Sequence, residues 1–521
     1  MIQLLLPFAA HQHAHFIPLF NTETTRQVEA QALSNALPHE TSLMQRAGHI
    51  TARLAQACYP HAGNILIIAG TGNNGGDAIV AATHLKQMGK NVHLIWLGNA
   101  ERASNDTLQA VQAAHHAQLT LHPYTPETLP HLPEQNFDLI IDGLFGIGLS
   151  VQKPLSEESI QLISFINQSY APVIAIDIPS GLMVDTGVRH THAVKADHTL
   201  TFLTAKPGLF TADGREYCGH IWLDNLQTAP SPLFIGACAY LYMPQKDTST
   251  RPHNTHKGTF GDVGIIGGAT GMTGAALLAG RAAIKAGAGR VYLSILDSEH
   301  HTAYLPVDLQ CPELMFRPVN QLSFKQSTIA CGCGGGVQIM GWLPQILHEC
   351  PRLVLDADAL NAIAASKDLQ QQLSARKAMG LDTIITPHPL EAARLLKITS
   401  EEIQSNRLYF AGQLAKQFEC TCILKGSGSI TATPQQTQFI NSSGNAALAT
   451  AGSGDVLSGW IAGRWSATHQ LKSALRTFNY NLHKLTAQWV WEHGNAADRW
   501  VSEGHCGAIP ASSLIQWITA R

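Results

Sequence analysis

Short apolar runs recur along the chain, and nearly all stop at a polar or glycine-rich tip before a helix-length segment. In the first half they fall at 64–69, 91–97, 137–142, 172–177, 197–202 and 218–223. In the second half they fall at 263–266, 289–296, 327–331, 351–355, 383–386 and 420–424. Continuous apolar runs of this length read as strands buried on both faces. Helical spacing marks 78–88, 105–117, 156–169 and a small-residue segment ending near Ala286. Residues 22–59 read as helices: Thr22 is placed to cap the first, and Leu43, Met44 and Ala47 recur at helical spacing in the second. Repeated strand–tip–helix units predict an α/β protein with parallel sheets covered on both faces. At 521 residues the chain is too long for one core. Pro230, Pro232, Pro244 and Pro252 among Thr, Ser, Gln and Asn place a domain boundary near 228–250, with a short strand at Tyr240-Leu241-Tyr242. The halves share no motif repeat, so two different α/β domains are expected.

The tips carry the candidate chemistry. The first run ends in Gly70-Thr71-Gly72-Asn73-Asn74-Gly75-Gly76-Asp77 and leads into a helix, a nucleotide-binding arrangement at the carboxyl end of a parallel strand. It is neither a dinucleotide fingerprint nor a Walker loop. Two amides and a carboxylate on an open backbone suit a ribose, an amide or a cation. Two further runs end in Asp142-Gly143-Leu144-Phe145-Gly146-Ile147-Gly148 and in Asp177-Ile178-Pro179-Ser180-Gly181. In a doubly wound sheet the three tips meet in one crevice. Asp142 and Asp177 sharing it would repel unless a cation or a proton lies between them. Asn74, Asp142 and Ser180 are hard oxygen donors, suited to an alkali or alkaline-earth ion rather than zinc.

In the second half, Thr450-Ala451-Gly452-Ser453-Gly454-Asp455 precedes an apolar run. If a helix starts there, its N–H groups form an anion site with a carboxylate at the rim, able to accept a proton from an attacking hydroxyl. Lys425-Gly426-Ser427-Gly428-Ser429 offers a cation and a backbone nest for phosphate, or else a hairpin turn with an exposed Lys. Prolines on both sides hold His388 in an extended loop, where it reads as a ligand contact. Lys206-Pro207-Gly208-Leu209 reads simply as a loop.

Charge and composition narrow the classes. A net charge of −3 and 14% charged residues predict no nucleic-acid or anionic-membrane surface. No apolar run is long enough for a membrane span. Residues 1–10 are apolar but lack a basic start, so no signal peptide is expected. His11, His13 and His15 read as a solvated terminus rather than a metal site. The ten Cys include Cys331/Cys333 and Cys420/Cys422, placed within strands, with neither zinc nor disulfide spacing. Buried free thiols in the cytoplasm are expected.

With these motifs in hand, the chain from about 20 to 518 resembles the bifunctional NAD(P)H-hydrate repair enzymes, an epimerase domain fused to an ADP-dependent dehydratase domain. Asn73–Asp77 with 177–181 looks like the epimerase signature. Lys257-Gly258, 356–361, Thr386-Pro387-His388-Pro389, Lys425-Gly426 and 452–459 look like the dehydratase. The resemblance implies two three-layer αβα domains, a Rossmann-like one at 1–230 and a ribokinase-like one at 240–521. It implies an epimerase substrate site at Asn73, Asn74, Gly75, Gly76, Asp77, Gly146, Ile147, Gly148, Leu149, Ser150, Val151, Gln152 and Asp177. It places K+ on Asn74, Asp142 and Ser180. In the dehydratase it places the hydrate at Ala275, Gly334, His388 and Asp455, and ADP at Lys425, Gly426, Ser427, Gly428, Ser429 and Gly454, with Mg2+ assisting. Asp455 is the expected base there. In the epimerase Asp177 is the candidate proton-transfer group and Asp77 its rival. The implied partners are NADH and NADPH hydrates and ADP, and a homo-oligomer is expected. Ala78, Cys333 and Leu390 depart from the family pattern, where Gly, Pro and Gly are usual. A ribokinase-like kinase for a small alcohol, and a first half that only binds, remain the alternatives.

Overall fold

In the computed structural model, alternate residues of the strand Asn64–Ala69 enter two different cores. Ile65, Ile67 and Ala69 pack with the helices Leu43–Cys58 and Asn73–Gln87, while Leu66 and Ile68 pack with Glu157–Gln168. Leu139–Gly143 and Val173–Ile176 divide in the same way. Successive side chains point to opposite faces of a sheet, so a strand apolar throughout needs helices on both faces. The structure describes residues 2–4, 16–34, 41–124, 136–150, 152–228, 236–244, 254–296, 307–475 and 481–520. It divides into two units, Met1–Ala239 and Tyr240–Arg521.

The first unit's sheet is parallel. Its order is Ile2–Leu4, His220–Asp224, His198–Phe202, Val173–Ile176, Leu139–Gly143, Asn64–Ala69, Asn91–Trp96, Leu121–Pro123. Chain order runs outward in opposite directions from the neighbours Asn64–Ala69 and Leu139–Gly143. The loops after those two strands therefore part and leave a crevice.

The second unit has its own reversal point. Met315–Phe316, Arg290–Ile295, Asp262–Gly267, Thr328–Cys331, Arg352–Leu355, Asp382–Ile385 and Thr421–Leu424 are parallel neighbours, with the reversal between Asp262–Gly267 and Thr328–Cys331. Ile430–Ala432 and Gln438–Asn441 then turn back antiparallel, so the sheet is mixed rather than wholly parallel. Val263, Ile265, Val354, Ile384 and Ile423 share one core with the helices Thr273–Lys285, Ser453–Leu475, Leu482–Ser502 and Ala511–Trp517. The first two of these helices cross closely on small residues. A Cβ on Gly459 would stand 1.9 Å from the Ala279 carbonyl oxygen, and one on Gly463 would stand 2.5 Å from that of Ala283.

Several local readings change. Thr22 lies inside the helix Thr22–Ser34, and the cap is Asn21, whose Oδ1 accepts from Thr24 N at 2.9 Å. Thr22 N and Oγ1 donate to Asp185 instead. The helix expected at 78–88 begins at Asn73, because the strand runs into it almost directly. Cys333 lies past its strand, in the glycine turn, and Cys420 just precedes its own. All ten cysteines are free, but Cys506 is exposed and Cys58, Cys238 and Cys311 are half-buried, so burial does not describe them all. Ala239–Tyr242 forms the expected short strand. His11, His13, His15, Pro230, Pro232 and Pro252 lie outside the described residues. Among the described residues no helix is long and apolar enough to cross a membrane.

Gly459→Ala tests the helix crossing. Alanine in a helix interior gains about 1 kcal/mol over glycine. Overpacking a filled site costs about 1–3 kcal/mol, and here the obstacle is backbone. The expected result is a net loss of about 2 kcal/mol, seen as a lower urea midpoint of the second unit's transition. A neutral or stabilised variant would refute the crossing.

Candidate functional site

The reversal point of the first unit opens a cavity of about 1020 Å³. Asn73, Asn74, Asp77, Gly146, Ile147, Gly148, Leu149, Ser150 and Asp177 line it, so the three strand tips do converge. Gly75 and Gly76 do not line it. Asn73–Asp77 is the first turn of a helix rather than an open loop, and these glycines allow close packing. A Cβ on Gly75 would stand 2.1 Å from the Gly70 carbonyl oxygen, and one on Gly76 would stand 2.4 Å from Met44 Cε. What the helix start gives the site is its unpaired N–H groups and positive dipole end. Gln152 does not line the cavity either; its N–H donates to Ser150 Oγ at 3.3 Å. Val151 lies outside the described residues.

Asp142 is fully buried. Its Oδ1 accepts from Ser180 Oγ at 2.6 Å and Leu144 N at 3.2 Å, and its Oδ2 accepts from Ser180 N at 2.8 Å. Burial pushes its carboxyl up from the usual range, against these donors. Asn74 Nδ2 donates to the Phe145 carbonyl at 2.9 Å, but Asn74 Oδ1 is buried and accepts from no donor among the described residues. A buried acceptor left bare costs about 1–3 kcal/mol. A Cβ on Gly146 would stand 3.5 Å from that oxygen, so the glycine keeps space beside it. A bare amide oxygen near a carboxylate and a hydroxyl fits a hard monovalent cation. Ala78, where Gly is usual, meets Gly143 closely and is wholly buried, so the pair simply exchanges a small side chain for space.

Asp142 and Asp177 are not a repelling pair with a cation between them, because each has its own partners. Asp177 Oδ1 accepts from Lys206 Nζ at 2.5 Å, Thr201 Oγ1 at 3.2 Å and Phe202 N at 3.4 Å. Lys206 is 1% exposed, and its Nζ also donates to Thr201 Oγ1 at 2.7 Å and the Phe202 carbonyl at 2.9 Å. The like charges near Asp177 are Asp77 and Glu29, both on the cavity wall. Burial, then Asp177 and Glu29, holds the Asp77 carboxyl well above the usual range. Burial and Asp177 likewise raise Glu29. Lys206 and Glu29 were missed in the sequence. Lys206 stands alone in the apolar stretch 202–210, a signal that its charge is buried and paired. Glu29 gives no signal.

In the second unit a helix does start at the glycine turn, spanning Ser453–Leu475 with Asp455 in its first turn. Burial, then Asp356, pushes Asp455 up to about 6, against the Cys333 thiol, which hydrogen-bonds it, and Lys425. The Cys333 departure therefore adds a polar neighbour to Asp455. Lys425–Ser429 is the hairpin turn between Thr421–Leu424 and Ile430–Ala432, but Lys425 points inward. Its Nζ donates to Asp356 Oδ1 at 2.7 Å and lies 4.0 Å from Glu391 Oε2. Burial alone would lower Lys425; Asp356 and Glu391 hold it above its usual value. Asp356 Oδ2 accepts from Ser458 Oγ at 2.5 Å, and a Cβ on Gly454 would stand 3.3 Å from Lys425 Nζ. Gly426 and Gly428 have φ of +138° and +62°, and Gly426 N donates to Ser429 Oγ at 3.3 Å. Ala275 and Gly334 adjoin: a Cβ on Gly334 would stand 3.0 Å from that of Ala275.

His388 is a helix cap rather than part of a free loop. Its Nδ1 accepts from Leu390 N and Glu391 N, and its own N–H donates to Glu391 Oε2 at 2.8 Å. Its Nε2 lies 3.2 Å from Glu391 Oε1. Burial pushes Glu391 up to about 7. The Leu390 side chain is exposed, and only its N–H meets this group, donating to His388 Nδ1. Asp356 and Ser458 stood in quoted motifs without a role, and Glu391 lies just past one. Only folding brings them to Lys425.

The YjeF-related protein N-terminus family matches residues 40–208, and the NAD(P)H-hydrate dehydratase family matches residues 263–520. The bifunctional NAD(P)H-hydrate repair enzyme of Escherichia coli (strain K12) is 35% identical over 80% of this chain and 79% of that protein. That of Coxiella burnetii is 32% identical over 95% and 97%, and that of Leishmania braziliensis is 33% identical over 94% and 91%. Among solved structures, the ADP/ATP-dependent NAD(P)H-hydrate dehydratase from Bacillus subtilis co-crystallized with ATP/Mg2+ is 26% identical. It covers 52% of this chain and 91% of its own, with a TM-score of 0.42. Matched along nearly its whole length by such relatives, the chain belongs to the family of bifunctional NAD(P)H-hydrate repair enzymes.

Proposed function

We propose that the first unit interconverts the R and S hydrates of NADH and NADPH, and that the second dehydrates the S form at the expense of ADP, giving NAD(P)H, AMP and phosphate. The observation that carries this reading is Asp455, a carboxylate in the first turn of a helix, beside a half-buried Lys425 and a glycine turn. Hydroxide is a poor leaving group, and phosphorylating the hydroxyl makes it a good one. Asp455 takes the hydroxyl proton as the oxygen attacks the terminal phosphoryl group of ADP. The N–H groups of 452–455 stabilise the transferring phosphoryl, and Lys425 neutralises the nucleotide phosphates. Elimination of phosphate then restores the dihydropyridine. Mg2+ bound with the nucleotide would spread the phosphate charge.

In the first unit, Asp177 is the proton-transfer group in this reading, with Asp77 beside it on the cavity wall. Asn74, Asp142 and Ser180 would hold K+, which supplies a fixed positive charge. The bare Asn74 Oδ1 supports that assignment.

The test is recovery of reduced-nicotinamide absorbance from a mixture of R and S NADPH hydrate with ADP and Mg2+. Wild type is expected to recover both epimers. Recovery of the S portion alone would leave the first unit a binder, and no recovery with ADP or ATP would favour a small-alcohol kinase. Asp455→Asn is expected to lower kcat for dehydration by about 10²-fold or more while epimerisation continues; near-normal dehydration would remove Asp455 from the mechanism.

The pH dependence has a definite sign. Asp455 acts as a base only when ionised, and its pKa is about 6. Dehydration kcat/KM should rise with pH through about 6 and level above it, falling about tenfold per unit below. A profile still flat at lower pH would contradict this role.

A further inference from the structure

Asp177 and Lys206 form the most completely bonded charge pair in the first unit's cavity, and the bonding is one-sided. Lys206 Nζ, Thr201 Oγ1 and Phe202 N all donate to Asp177 Oδ1, and none donates to Oδ2. Asp177 sits at φ +66°, a left-handed conformation uncommon for a residue with a side chain, and it lines the cavity. Lys206 has three acceptors and is 1% exposed, so it is filled by protein and has no donor left for a ligand. Its ammonium therefore acts through Asp177 and not on a substrate. Asp77 shares the cavity wall and its carboxyl has no hydrogen-bond partner among the described residues.

We propose that Lys206 is a positioning residue for epimerisation: by occupying Asp177 Oδ1 it holds that carboxylate with Oδ2 turned free as the base, while Asp77 supplies the proton. The proposal rests on the epimerase reading of the first unit. Hydration of a dihydropyridine enamine leaves the hydroxyl on the carbon beside the ring nitrogen. Asp77 gives its proton to that hydroxyl as the C–O bond breaks, and the nitrogen lone pair forms the C=N bond of an iminium. The released water adds to the other face. Its oxygen forms the new C–O bond, the C=N electron pair returns to nitrogen, and the surplus proton passes to Asp177 Oδ2. No atom or electron is gained or lost, and proton transfer from Asp177 to Asp77 resets the enzyme. Two neighbouring carboxyls with unequal surroundings divide acid and base roles. Burial and the adjacent Asp177 and Glu29 charges favour the protonated form of Asp77, while Asp177 alone has a cation on it.

The experiment follows R-to-S interconversion by Lys206→Met in the full chain, with dehydration of the S hydrate as internal control. The expected result is a fall in kcat of about 10²-fold with KM within about threefold, and unchanged dehydration. Lys206→Ala should regain part of its kcat in an added alkylammonium salt but not in sodium at equal ionic strength. A kcat within threefold of wild type, or no rescue, would overturn the proposal. If Lys206→Met loses its unfolding transition, Thr201→Val decides. It is close to isosteric and removes one donor to Asp177 and one acceptor of Lys206, with an expected kcat loss of about tenfold, and no loss overturns the proposal. If wild type itself leaves the epimers unchanged, the parent reading falls and takes this proposal with it, a result distinct from an active wild type with an unaffected variant.

Discussion

A strand that is apolar on both faces has no place for a charge except at its end. Ile65 to Ala69, Leu139 to Ile141 and Val173 to Ile176 are covered on both sides, so every polar group these segments carry is pushed to a tip. Parallel connection puts the tips on one edge of the sheet, and the reversal of chain order parts two of them. Both units follow this rule. The first gathers Asn73 to Asp77, Gly146 to Ser150 and Asp177 around one cavity; the second brings Asp356, Glu391, Lys425 and Asp455 within electrostatic reach.

Both units also hold a strand-tip aspartate with a lysine from another loop, Asp177 with Lys206 and Asp356 with Lys425. The pairs differ in what the lysine has left. Lys206 is saturated by three acceptors and almost wholly buried. Among the described residues Lys425 donates to Asp356 alone; it is 19% exposed and adjoins Gly454 at the helix start. A saturated ammonium fixes the carboxylate it touches. An unsaturated one can also meet an anion, as a nucleotide-binding lysine must.

Glycine serves close approach here more than loop freedom. Gly75, Gly76 and Gly459 lie within helices and permit contacts that any side chain would obstruct. Their helices consequently start tight against the strand tips, which aims unpaired N–H groups and the positive dipole end at the sites.

The strands, their tips and the division into two α/β units were legible because burial on both faces writes itself as an unbroken apolar run. Asn74, Asp77, Asp142, Asp177 and Lys425 were legible because each stands at such a tip, and Asp455 because a glycine turn precedes it at a helix start. Local sequence did not reveal that Asn73 to Asp77 is helical, since glycines there suggest a loop unless the surface they press upon is known. Nor did it reveal that His388 caps its own helix. The sequence alone determined which residues carry charge and that they gather at strand ends. Only tertiary structure decided which charges meet. The pairing of Lys206 with Asp177, of Lys425 with Asp356, and of Cys333 with Asp455 depends on loops brought together by sheet order, and the strength of an electrostatic contact depends on distance and burial in space, not on separation along the chain.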